Sequence, residues 1–119
     1  MATSPNFPRG MGPVLINGVI PALRLGNSAT VITGAASANM ALPLDPNGNL
    51  YAAYLVQCLI AACWWDFVTS GADSVVAAAA NSQPAQAGVD LIVVTPPGAT
   101  NIAAIQQSAA GTLTFTGIF

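Results

Sequence analysis

At 119 residues the chain has the length of one ordinary domain. Two arginines and four aspartates are its only charged residues, 5% of the total against roughly 25% in ordinary soluble domains, and it contains no Lys, Glu or His. This excludes a basic face able to neutralise several phosphates and most acid–base or nucleophilic chemistry, which needs an imidazole or paired carboxylates.

The segment 1–26 holds Pro5, Pro8, Pro13 and Pro21 among four glycines, which forbids a helix of useful length. It reads as an extended arm preceding a domain over 27–119. Its start has no charged region followed by an apolar one, so it does not read as a signal peptide and the chain is expected to stay where it is made. Val14, Leu15, Ile16, Val19, Ile20 and Leu23 lie between the breakers. Aliphatic side chains of this density are expected to lie against a neighbouring subunit or the chain's own domain.

From Asn27 onward short apolar segments alternate with turn signals, the pattern of an all-β chain. Strands are predicted over 28–33 and 38–44, followed by the turn Asp45-Pro46-Asn47-Gly48-Asn49, where the Asp45 side chain is expected to bond the backbone after it. Two more are predicted over 54–60 and 63–68, joined as a hairpin through Ala61 and Ala62. The Ala-rich stretch 50–65 also fits a single buried helix. At about 16 residues it is short of the roughly 20 that span a bilayer, and Gln57 interrupts it.

Cys58 and Cys63 are the only cysteines, too few for a disulfide scaffold and without a His to complete a metal site. They read first as buried thiols acting as small apolar residues; across a hairpin centred between Ile60 and Ala61 they would stand opposite each other and could oxidise. Trp64 and Trp65 are adjacent, so on a strand one faces the core and the other a partner. Both join the arm aliphatics as candidate partner-binding residues.

Further strands are predicted over 73–79, 89–95, 101–106 and 112–118, with 81–88 as a loop around Pro84. In 89–95 Val89, Leu91 and Val93 share one face and Asp90, Ile92 and Val94 the other. In 112–118 Leu113 and Phe115 alternate with threonines. Seven or eight strands without a convincing helix predict an all-β sandwich or jelly roll. The four aspartates are spread out, and each fits a turn or strand end better than catalysis. No catalytic residue, cofactor or metal is expected.

Three features resemble the small β-sandwich decoration, or cement, proteins of tailed-bacteriophage heads. They are Cys63-Trp64-Trp65-Asp66-Phe67, the turn and strand from Val94 through Pro96-Pro97-Gly98 to Ala103, and the closing Gly111-Thr112-Leu113-Thr114-Phe115-Thr116. The likeness spans Tyr54 to Phe119. It implies a non-enzymatic virion protein made in the host cytoplasm, which binds the capsid's outer surface and reinforces contacts between coat subunits. The implied partners are the major capsid protein and copies of the chain itself, without nucleic acid or membrane. A tail, fibre or shell protein is the neighbouring alternative, and a membrane-associated protein using 50–65 the more distant one.

Overall fold

Alternating apolar and polar residues, broken by Pro, Gly and Asn turns, favour strands that bury one face each. The computed structural model describes residues 24–74 and 82–119. Among these are eight strands and no helix: β1 (Leu25–Ile32), β2 (Ala38–Ala41), β3 (Ala53–Leu59), β4 (Cys63–Val68), β5 (Gln83–Ala85), β6 (Asp90–Val94), β7 (Asn101–Gln106) and β8 (Thr112–Ile118). The arm aliphatics Val14, Leu15, Ile16, Val19, Ile20 and Leu23 lie outside the described residues, as does most of the strand expected over 73–79. β1 starts at Leu25, just before the expected boundary between arm and domain.

The strands form two antiparallel four-stranded sheets, ordered β1-β8-β3-β6 and β2-β7-β4-β5. First pairs with last, second with seventh, third with sixth and fourth with fifth. That nesting is the eight-stranded jelly roll. β8 sits inside the first sheet between β1 and β3, and β7 sits inside the second between β2 and β4.

The expected β3–β4 hairpin is corrected, as is the alternative helix over 50–65. β3 and β4 are strands of different sheets, and the link between them arches across the edge of the sandwich. Ala61 N donates to Leu59 O at 2.9 Å, closing a three-residue turn centred on Ile60, whose φ is 76°. This is the strained form of the γ-turn, costly for a β-branched residue. The arch sends the large apolar side chains of β3 and β4 to opposite walls of one core, which a flat hairpin does not do.

The core follows the alternation. Tyr54, Val56 and Cys58 of β3 and Leu113 and Phe115 of β8 face Cys63 and Trp65 of β4 and Ile102 and Ala104 of β7. Trp65 is 1% exposed and meets Phe115 and Phe67 edge-on, each at 5.2 Å between ring centroids. Its Nε1 has no hydrogen-bond partner among the described residues, so packing alone holds the ring. The register places Trp65, Ala104 and Ala38 in one row. The alanines leave the volume that the indole fills, which gives the Ala-rich composition a packing role.

At one end the Tyr51 ring lies over Gly117 and Gly26, where a Cβ would overlap it. Tyr51 Oη accepts from Asn27 N at 2.9 Å, and Tyr54 Oη donates to Pro43 O at 2.7 Å. Asp45 caps its turn as the sequence predicts: Oδ1 accepts from Asn47 N and Asn49 N, both at 2.9 Å, and Gly48 takes φ 83°.

Candidate interaction surface

Because side chains alternate along a strand, the core pattern fixes what the first sheet shows outside. Reading across β1, β8, β3 and β6, one row carries Leu25, Ile118, Ala53 and Val94, and the next Ser28, Thr116, Leu55 and Ile92. The third carries Thr30, Thr114, Gln57 and Asp90, and the last Ile32, Thr112 and Leu59. Asp90, at the margin, is the only charge in these rows. Val94 is 78% exposed, Ile92 59%, and Leu25, Ile32 and Leu59 are exposed too. Thr30 and Thr114 share a 2.7 Å hydroxyl contact. At the end of the last row Ile60 projects from the arch with 81% of its surface free.

The second sheet is finished differently. On its outer face Asn101 Nδ2 donates to Asn39 Oδ1 at 2.8 Å, and Asn39 Nδ2 donates to Ser70 O and Asp73 O, each at 3.0 Å. These bonds tie the turn after β4 onto the sheet. Asp66 Oδ1 accepts from Phe67 N at 2.9 Å and from Gln83 Nε2 at 3.2 Å. Asp73 Oδ2 accepts from Thr69 N at 3.2 Å and Thr69 Oγ1 at 3.3 Å. Asp66 and Asp73 both line an open hollow of about 510 Å³, yet each carboxylate already serves its own backbone.

The tryptophan pair separates as the strand geometry requires. Trp65 is in the core and is corrected out of the partner-binding set, since a side chain 1% exposed offers a partner almost nothing to touch. Trp64 is half-buried on the outer side of β4. Cys58 and Cys63 are free and buried, and Cys58 Sγ donates to Ala61 O at 3.2 Å. Burial pushes both thiols up, Cys63 to about 12 with the neighbouring Cys58 adding to the shift. Thiols held protonated in this way are poor nucleophiles.

Among the described residues no three His, Cys, Asp or Glu side chains stand together in a way that would hold a metal, and no helix is long and apolar enough to cross a membrane. The outward Ile32, Leu59, Ile60, Ile92 and Val94 were not among the sequence candidates. Their signal was present for β6, where Ile92 and Val94 alternate away from Leu91 and Val93; for Ile60 nothing in the sequence announces the turn that exposes it. Compared with protein-family models, curated proteins and solved structures, the chain matches none.

Proposed function

We propose that this chain is a non-enzymatic structural protein of a virion, adhering to the outer surface of a capsid and bridging its coat subunits as the decoration proteins of tailed bacteriophages do. One observation carries the reading: the outer face of the first sheet exposes Leu25, Ile32, Leu59, Ile92 and Val94 among threonines, has a single charge at its margin, and has the 81% exposed Ile60 beside it. So many exposed large aliphatics on one face with almost no charge are unfavourable in water and mark interaction sites. The jelly-roll strand order adds support by analogy, since viral capsid domains use it.

In this reading the major capsid protein covers the apolar face and the arm residues Val14 to Leu23 extend the contact along a groove or sheet edge. Many copies on one lattice make each weak attachment effectively intramolecular. With so few charges, attachment rests on apolar burial and backbone hydrogen bonds and is insensitive to screening. Particles washed in sodium chloride are expected to retain the protein while the Debye length falls from about 10 Å to about 3 Å. Release at moderate salt counts against the proposal, and so does unaltered retention of an Ile60→Asp, Leu59→Asp double variant.

The strand order also favours a second reading, in which the chain is itself the shell subunit. Imaging the purified chain separates the two. Closed particles assembling from it alone support the second, whereas small assemblies that attach only to preformed shells support the first.

A further inference from the structure

A two-sheet sandwich has four edge strands, and an edge left open offers its backbone to other chains. Three of the four are defended here. β1 carries a register shift between Leu25 and Ser28, β2 is four residues long, and β5 is three residues long with Pro84 at its centre. β6 has no such device: Asp90-Leu91-Ile92-Val93-Val94 contains no Pro, Gly or Lys, and among the described residues it pairs only with β3.

The hydrogen-bond phase shows which groups are free. Thr95 N donates to Ala52 O at 2.9 Å, in step with the register Ala53↔Val94. Since antiparallel bonded pairs recur every second residue, Leu91 and Val93 bond to β3, and Asp90, Ile92 and Val94 aim N–H and C=O at the open side. Exposure rises toward the same edge even on the inner face. Val56 is fully buried while its cross-strand neighbour Leu91 is 36% exposed.

We propose that β6 is a self-association edge: two copies pair β6 with β6, antiparallel about a two-fold axis at Ile92, and join their first sheets into one continuous sheet. The occupant is a second copy because the strand complements itself about that residue. Ile92 meets Ile92, Val94 meets Asp90, and Leu91 meets Val93, so each exposed aliphatic gains an aliphatic or backbone neighbour. About six backbone hydrogen bonds form between the free groups of Asp90, Ile92 and Val94. The two Asp90 carboxylates fall at opposite ends, about 13 Å apart along the strands, beyond the Debye length of about 8 Å at physiological salt. No like charges oppose each other. The inference is independent of the virion reading and holds for the isolated protein.

Light scattering of the full chain over a range of concentrations is expected to give the mass of two chains. Ile92→Lys places two ammonium groups beside the axis and is expected to raise the dissociation constant at least about tenfold. Ala41→Lys, exposed on β2, leaves the mass unchanged, and thermal melts of both variants confirm that they fold. Ile92→Cys is expected to cross-link through a disulfide when diamide removes the two thiol hydrogens, because bonded antiparallel pairs hold Cα atoms about 5.5 Å apart. Leu91→Cys, which faces Val93 of the second copy, does not cross-link. A monomer at every concentration overturns the proposal, as does a dimer indifferent to Ile92→Lys. So does association that fails to cross-link at Ile92→Cys but is lost in an Ile16→Lys, Ile20→Lys full chain, which assigns the edge to a neighbour's arm.

Discussion

The two sheets share one core but meet the outside in opposite ways. The second sheet answers its own needs: Asn39 bonds to Asn101 and to the backbone of Ser70 and Asp73, Asp66 accepts from Phe67 N and Gln83, Asp73 accepts from Thr69, and the turn after β4 is tied down. The first sheet presents threonines and aliphatics with almost none of the described residues bonded across them. Identical strand alternation built both faces, so the difference lies in residue choice. On the second face the polar side chains bond within the chain, whereas the first face leaves large aliphatics exposed and is the one that gains more from being covered.

Substitutions of matched type test how far this contrast reaches. The largest effect is expected from what both faces share. Trp65→Ala should cost about 3–5 kcal/mol in guanidinium unfolding, and its neighbour Trp64→Ala, on the second sheet's outer side, only about 1 kcal/mol. Equal costs would contradict the burial that separates them.

Next, Asn39→Ala removes three hydrogen bonds from the self-bonded face and is expected to cost about 2 kcal/mol, against about 0.5 kcal/mol for Thr114→Ala on the bare face. Thermal melts that rank them the other way would show that the second face is not held by its polar network. Ile60→Gly relieves a positive φ at an exposed position and is expected to stabilise the fold by about 1 kcal/mol while weakening attachment to particles. Stabilisation without loss of attachment would remove Ile60 from the adhesive face.

The smallest effect is confined to alkaline solution. Cys63 moves from an ordinary value of about 9 to about 12, and Cys58 and Tyr54 move in the same direction through burial. The folded state therefore holds these protons more tightly than the unfolded one. Their contribution to stability is complete below pH about 9 and declines as pH rises toward about 12. Denaturation midpoints at pH 8 and pH 10.5 are expected to show the fall, and Cys63→Ala should lessen it.

Much of the fold was legible in the residues. β4, β7 and β8 have the bounds their alternation predicts, and Asp45-Pro46-Asn47-Gly48 makes the turn its side chains dictate. β5 was read as loop because Pro84 signals a break, and a proline is tolerated there only because the strand is an edge. The β3–β4 link was read as a hairpin because two alanines between strands carry no sign of direction. What turns the chain across the sandwich is the φ of Ile60, a conformation its side chain resists, so tertiary packing and not local preference sets it. Alternation placed one tryptophan inside without saying which, since only the row Trp65-Ala104-Ala38 supplies the space. The exposed aliphatics of the first sheet were hidden for a related reason: outward aliphatics in a strand look the same as inward ones until the second sheet is in place.

β8 is the last strand in the chain order and lies between β1 and β3. On the ribosome, therefore, the first sheet has a gap in its middle until Thr112–Ile118 emerge. β1 waits unpaired and β3 is paired on its β6 side only, with the β1–β8 contacts between the two ends of the domain still to form, the situation in which folding is slow and nascent strands aggregate. Closure of the sheet thus waits until the other described strands have been made, and a product terminated before β8 lacks a central member and not a dispensable fringe. Such fragments expose two raw β-edges and are natural substrates for chaperones and proteases.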